Sequence, residues 1–388
     1  MDLDFSAEER EFQSEVREWL KQNLPADWRS VSGFDEGKDE EEIRRSWQIR
    51  LYEAGWFKLG WPLEQGGRGG TPVMQSIFQE ELALSGAPPI LGSLGVTLLV
   101  PVLMAHGTDW QKSAYVEKIL SGELIFCQGF SEPNAGSDLA SLSARAERRN
   151  GHWIINGQKV WSSGAHHAHR SFLLARTDQS LRPHEGIGYF LVDMEQPGVE
   201  VRQIRQLTGG QEFSEIFLAD AKVDERDVVG APTDGWRLAM STFSHERGGL
   251  ANAARFEVAV QELATILRDS GRSHEGVARQ HVAQAYIEAR VFRALSLRVL
   301  SRAQRGVEAG PEASIVKLYW SEMDKRLRDL GVAIQGMHGA LAIDAETDDR
   351  GAWRRAWLWS LAETIYAGTS EIQRNIIAER VLGLPRSR

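Results

Sequence analysis

Asn150-Gly151-His152-Trp153-Ile154-Ile155-Asn156-Gly157 divides the chain into sequence of two characters. Asn-Gly is the dipeptide that most readily supplies the positive φ angles of a tight hairpin. Two copies around a strand-forming quartet therefore predict hairpins and β structure. Short β-like runs follow at Phe172–Ala175, Tyr189–Val192, Val199–Val201 and Ser214–Leu218, punctuated by Pro197-Gly198 and Thr208-Gly209-Gly210. The expectation is a compact antiparallel region of about a hundred residues.

Helical periodicity lies on both sides of this region. Ser6 and Glu9 form a capping box ahead of Phe12, Val16, Trp19 and Leu20 at helical spacing. Further helices are expected over Glu40–Ala54, Val73–Leu84 and Tyr115–Leu120. Gly60 to Gly70 is rich in glycine, but no buried strand precedes it and no Lys-Ser/Thr follows, so it reads as a connector rather than a phosphate cradle. After Trp236 two long apolar stripes appear, Val282 to Val299 and Ile315 to Ile334, as in a packed bundle with some surface toward another subunit. The order is helical, β, helical, with limits expected at 1–122, 123–234 and 235–388.

The chain has 388 residues, 42% hydrophobic and 26% charged, which is ample for a multidomain core. Its net charge of -9 argues against nucleic acid and anionic membrane surfaces as main partners. The single cysteine, Cys127, precludes an internal disulfide and fits a reducing compartment. The acidic start, Met1 to Phe5, does not read as a signal peptide, and no apolar run reaches spanning length. The expected location is the cytoplasm.

Three stretches carry candidate chemistry. Phe130-Ser131-Glu132-Pro133-Asn134-Ala135-Gly136-Ser137-Asp138 offers hydroxyl and backbone donors on a turn-forming segment. Asn156-Gly157-Gln158-Lys159-Val160-Trp161-Ser162-Ser163 sets an indole beside two hydroxyls, which suits a flat heterocycle. Ile365-Tyr366-Ala367-Gly368-Thr369-Ser370-Glu371-Ile372-Gln373-Arg374 reads as a loop ending on a capped helix start, whose free N–H groups can seat a polarised oxygen. His166, His167 and His169 lack ligands at metal spacing and read as an exposed loop, so no metal is expected. Cys127 reads as packing rather than a nucleophile.

Taken together, the three stretches resemble, in order, the signatures of the acyl-CoA dehydrogenase family, and the likeness runs nearly end to end. The resemblance implies an α+β multidomain fold: an N-terminal helical domain, a middle antiparallel β domain and a C-terminal four-helix bundle. It implies FAD as cofactor, an acyl-CoA substrate and an electron-transfer flavoprotein as electron acceptor. A homodimer or homotetramer is usual in the family. By resemblance Phe130 and Ser131 meet the flavin edge, Trp161 and Ser163 cover and bond the ring, and Thr369 and Glu371 touch the dinucleotide. Gly336, in the glycine turn Ile334 to Gly339, and Gln280 would reach the FAD of a neighbouring subunit. The family's Arg-x-x-Phe-Gly ahead of Gln280 is absent, leaving Arg272 or Arg279 to neutralise the pyrophosphate. Ser137, Arg247, Tyr366 and Ala367 fall at substrate positions.

Many members carry the catalytic base between the Tyr and Gly of the closing signature, where this chain has Ala367. Members resembling isovaleryl- and long-chain acyl-CoA dehydrogenases place it instead as a Glu directly before an Arg on a C-terminal-domain helix. That register falls on Glu246, ahead of Arg247. Burial against flavin and acyl chain would raise its carboxyl toward neutrality and strengthen it as a base. The Ala367 amide would still bind the thioester oxygen, and its small side chain would admit a branched or bulky acyl group. Two alternatives stand beside this reading: a non-catalytic subunit of a hetero-oligomer, and a flavin oxidase or monooxygenase on the same fold.

Overall fold

A computed structural model describes residues 5–25, 28, 38–244, 250–307, 310–340 and 350–386. The N-terminal helices are α1 (Ala7–Asn23), α2 (Lys38–Glu53), α3 (Pro72–Leu84), α4 (Val100–His106) and α5 (Asp109–Ser121). The strands are β1 (Phe126–Gly129), β2 (Arg145–Arg149), β3 (His152–Ser163), β4 (Arg170–Arg176), β5 (Ile187–Asp193), β6 (Val199–Ile204) and β7 (Phe213–Asp224). Then come α6 (Gly235–Ser244), α7 (Leu250–Asp269), α8 (Gly276–Ala303), α9 (Ala313–Gln335), α10 (Arg350–Glu363) and α11 (Ser370–Ile376). The capping box is present: the Glu9 N–H donates to Ser6 Oγ at 3.2 Å and the Ser6 N–H to Glu9 Oε2 at 2.7 Å.

Chain order and compactness do not coincide. One compact unit gathers Met1–Gly33, Lys58–Pro88 and Arg247–Arg388; the other gathers Phe34–Phe57 and Pro89–Glu246.

The second unit is built on the sheet, in the order β1-β4-β2-β3-β7-β6 with β5 on β4. Asn150-Gly151 makes the predicted hairpin turn between β2 and β3, with φ of 51° and 80°. The second dipeptide does not turn the chain. Asn156-Gly157 lies within β3 at a bulge against β7, and Asn156 takes the Asp220 N–H on Oδ1 at 2.8 Å. Gly157, at φ 152°, is required there because a Cβ would lie 2.6 Å from that of Ala144. Nor is the sheet wholly antiparallel: β1 and β2 both run parallel to β4. The reason is connection length, since β1 and β4 are joined through two intervening strands rather than a tight turn. Ile155, Leu173, Phe190, Val192 and Ile216 fill one face of the core. Helix α6 packs on β5, where Tyr189 and Thr242 hydroxyls meet at 3.4 Å and Phe243 sets its ring edge-to-face on Phe130 at 5.8 Å.

The first unit is the helical bundle. Phe256 and Leu263 of α7, Phe292 of α8, Leu327 and Ile334 of α9 and Trp353 of α10 share one core. Burying each such side chain is worth about 1.5–3 kcal/mol. Helices α9 and α10 approach closely because Gly331 leaves room for Trp353; a Cβ there would lie 2.0 Å from the indole. Helix α3 packs on α7, and α1 on α3.

No described helix is long and apolar enough to cross a membrane. Cys127 is buried, its thiol pushed up to about 12 by that burial, as a packing residue requires. The histidine loop is half-buried rather than exposed, because it is tied in on several sides. His169 Nδ1 accepts the Ile125 N–H at 3.0 Å, His167 sits 3.3 Å from Glu41, and the His166 and His167 rings lie 3.9 Å apart, tilted by 47°. No group of metal-binding side chains occurs among the described residues.

Candidate functional site

In the sheet unit the segment 130–138 is held to β3 by a buried ion pair. Lys159, wholly enclosed, donates from Nζ to Glu132 Oε1 at 2.8 Å and to the Phe130 carbonyl at 3.2 Å. Glu132 also accepts the Ser143 N–H at 2.6 Å, the Ser143 hydroxyl at 2.7 Å and the Ala144 N–H at 2.9 Å. Burial pushes the Glu132 carboxyl up, but the Lys159 charge and these donors outweigh it and hold the group below its ordinary range. Burial likewise lowers Lys159, to about 8, against the opposing pull of Glu132.

This anchor sets up Trp161. The Val160 N–H donates to the Ser131 carbonyl at 2.9 Å, and the β3–β7 register shifts between Lys159 and Ser162. The backbone at Trp161 is thereby thrown into the left-handed region, φ 60°, with the indole 58% exposed and edge-on to Phe213 at 6.1 Å. Phe130 is buried in an aromatic group with Phe172 and Tyr189, Ser131 and Ser163 are half-buried, and Ser137 is exposed. The Val160–Ser131 bond thus sets Phe130 and Ser131 beside the end of β3 that carries Trp161 and Ser163.

In the helical unit the loop between α10 and α11 holds Tyr366, Ala367 and Thr369. Ala367 has φ 53° and Gly368 φ 84°, so the chain reverses sharply. Gln373 Nε2 donates to the Ala367 carbonyl at 2.9 Å, the Ser370 N–H to the Thr364 carbonyl at 3.0 Å, and the Ile372 N–H to Thr369 Oγ1 at 3.2 Å. None of the hydrogen bonds among the described residues uses the Ala367 N–H. Glu371 is exposed, 3.4 Å from Arg374. Gly336 caps α9 with φ 58°, and Gln280 is exposed on α8. Arg272 is committed locally: Nε donates to Glu275 Oε1 at 2.7 Å and Nη1 to the Ile334 carbonyl at 2.8 Å. Glu246 and Arg247 lie outside the described residues.

Two features bear on whether a cofactor fits. Four non-glycine residues have positive φ among the described residues, Asn150, Trp161, Asp220 and Ala367. Asn and Asp tolerate that region; for Trp and Ala it costs about 1–2 kcal/mol and marks a constrained site. Second, both polar atoms of the Gln335 amide are buried with no partner among the described residues. Such a group calls for a donor and an acceptor beyond the described residues, and a planar heterocycle with polar edges supplies both. Gln335 and the Glu132–Lys159 pair were not singled out by sequence reasoning, although each lies inside a quoted signature. A cleft of about 260 Å³ lined by His152, Arg170, Asp193, Lys222 and Asp227 contains none of the expected site residues.

Comparison with known proteins gives the same alignment of parts. Family models for the acyl-CoA dehydrogenase N-terminal, middle and C-terminal domains match residues 6–123, 127–221 and 233–382. The chain is 41% identical over 394 residues to acyl-CoA dehydrogenase IpdE1 of Mycolicibacterium smegmatis, covering 98% of each. It is also similar to a solved structure of the Tcur3481-Tcur3483 steroid ACAD, with TM-score 0.88, 29% identity and 100% of both chains covered. The crystal structure of the ChsE4-ChsE5 complex from Mycobacterium tuberculosis matches with TM-score 0.85 and 28% identity, again over 100% of both chains.

Proposed function

The chain belongs to the acyl-CoA dehydrogenase family of FAD-dependent oxidoreductases, and we propose that it dehydrogenates a bulky, polycyclic acyl-CoA thioester to its trans-2-enoyl product. The observation that carries this is the pair of strained residues, Trp161 and Ala367, at the two signatures expected to meet flavin and thioester. FAD bound by these residues would supply the hydride acceptor for the β-carbon, and an electron-transfer flavoprotein would take the electrons onward.

The residues of the chain divide the remaining work. Glu246 takes the α-proton, and the N–H of Ala367 bonds the thioester oxygen as charge develops there. Phe130, Ser131, Trp161 and Ser163 hold the flavin ring; Thr369 and Glu371 hold the dinucleotide. Gln280, Gly336 and Gln335 reach the FAD of a neighbouring subunit. Ser137, Arg247 and Tyr366 line the substrate. Two observations support the flavin assignment: the exposed indole on a strained backbone and the orphaned Gln335 amide.

The polycyclic acyl group is read from the steroid ACAD likeness and from Ala367, which leaves space where other members carry a carboxylate. The paired names Tcur3481-Tcur3483 and ChsE4-ChsE5 support assembly with a second, related chain in preference to a homo-oligomer. We read the domains as 1–122, 123–234 and 235–388 and the location as cytoplasmic; the three matched segments support the limits. Glu246→Gln, assayed with a panel of straight, branched and steroid-chain acyl-CoAs, tests the reading. Turnover should fall by at least about a hundredfold, as expected for loss of a general base. Turnover near wild type excludes Glu246 as the base, and a preference for short straight chains excludes the substrate class.

A further inference from the structure

Two Asn-Gly dipeptides lie six residues apart in the chain, and the fold places them in opposite chemical situations. In such a pair the glycine nitrogen can attack the asparagine side-chain amide, because glycine has no side chain to shield its own N–H. Solvent access does not distinguish the two, since Asn150, Gly151, Asn156 and Gly157 are all exposed. The difference is in what holds each amide.

Asn150 and Gly151 form the two-residue turn between β2 and β3, beyond the last paired residues, Arg149 and His152. Among the described residues no hydrogen bond engages the Asn150 side chain or the Gly151 N–H. The space around Gly151 is open: a Cβ there would meet nothing within 4 Å. Asn156 and Gly157 lie inside β3, between β2 and β7, with Asn156 opposite Arg145 and Gly157 opposite Leu218. The Asn156 amide is engaged at both of its polar atoms. Its Oδ1 accepts the Asp220 N–H at 2.8 Å and its Nδ2 donates to Asp220 Oδ1 at 2.9 Å. Gly157 is walled by Ala144, 2.6 Å from where a Cβ would stand. Ring closure at Asn156 therefore has to break two hydrogen bonds and lift a strand paired on both sides. At Asn150 it breaks none.

We propose that Asn150 is a site of spontaneous covalent modification, and that the Asn156–Asp220 bonds protect the same dipeptide in β3. The Gly151 nitrogen gives its proton to solvent and forms a bond to Asn150 Cγ; the Cγ–Nδ2 bond breaks and ammonia leaves, taking a proton from water. Water then opens the succinimide at either carbonyl, giving aspartate or isoaspartate with no change of oxidation state. Both products add a carboxylate beside Arg149, and isoaspartate lengthens the main chain of a two-residue turn by a methylene. The same insertion at Asn156 would fall three residues ahead of Lys159, in the strand that carries Trp161. Protection there preserves the bulge and the Glu132–Lys159 pair beyond it.

The FAD-loaded protein in its native assembly is kept for weeks in mildly alkaline buffer, beside a sample unfolded in guanidinium. Both peptides are followed by mass spectrometry, with an aspartate-specific protease that does not cut at isoaspartate. In the folded protein Asn150 should convert at least about tenfold faster than Asn156, and in guanidinium the two rates should converge. Asp220→Gly fits the left-handed backbone at that position, φ 55°, and removes the acceptor for Nδ2, so Asn156 should react severalfold faster. Asp220→Asn keeps an acceptor and should stay protected. An Asn150 that stays intact in the folded protein while reacting in guanidinium overturns the site. Equal folded-state rates at the two positions, or an Asn156 as slow in Asp220→Gly as in wild type, overturns the protection.

Discussion

Removing one member of the Glu132–Lys159 pair gives the sharpest test of how the segment 130–138 is held to β3. In Glu132→Ala, Lys159 stays where its side chain is 0% exposed but loses the carboxylate 2.8 Å away. Breaking a buried pair in this way costs about 3–5 kcal/mol. An independent ceiling comes from the lysine itself, which can escape by giving up its proton. From an ordinary value near 10.4, being neutral at pH 7 costs about 4.6 kcal/mol. The two figures agree, and Tm should fall by roughly 6–10 °C at about 2 °C per kcal/mol for a chain of this size. Scanning calorimetry of the apoprotein and the FAD-loaded form measures it. The double variant Glu132→Leu/Lys159→Met should recover most of the loss, because apolar replacement of a buried pair is often neutral. Single variants each within about 1 kcal/mol of wild type, or a double variant that loses the sum of the two, would falsify the coupling.

The same pair gives an acid-side signature. Glu132 is held below its ordinary 4.5, so its contribution is present above that pH and is lost as pH falls through the folded value; the stability gap between wild type and Glu132→Ala should narrow there. Trp161→Gly removes about 1–2 kcal/mol of left-handed strain, so the apoprotein should unfold within about 1 kcal/mol of wild type while FAD dissociates at least tenfold faster. Unchanged FAD retention in stopped-flow release would count against the ring-covering role. Gln335→Leu removes a buried amide with no partner, worth about 1–3 kcal/mol, so the apoprotein should gain stability and the loaded protein lose cofactor affinity. If both forms lose stability alike, Gln335 is a packing residue. Ala367→Glu should depress turnover of steroid-chain acyl-CoAs more than that of short straight chains, read as the ratio of kcat/KM values.

Much of the fold was legible because its signals are local. The capping box, the Asn150-Gly151 hairpin and the long stripes of α8 and α9 depend on neighbours within a few residues, and all three formed as expected. Asn156-Gly157 shows the limit. The dipeptide has the same composition as a hairpin turn, but Ala144 packs against Gly157 and Asp220 pairs with Asn156, so the chain bulges and continues. The histidine loop failed for a similar reason, being drawn inward by Glu41 and Ile125, which lie far off in sequence.

The sequence by itself determined the helical, β, helical order, the three signatures, and the absence of a carboxylate at Ala367. Each is a matter of residue type at short spacing. Tertiary structure decided which residues carry strain and which lack partners. Trp161 is left-handed because Lys159 is pinned by a glutamate 27 residues away and Val160 bonds Ser131. Gln335 is orphaned, and Lys317 of α9 bonds the Glu363 carbonyl of α10, because helices distant in the chain bury them. Burial and electrostatic coupling are properties of what folding brings near, and no window of sequence contains them.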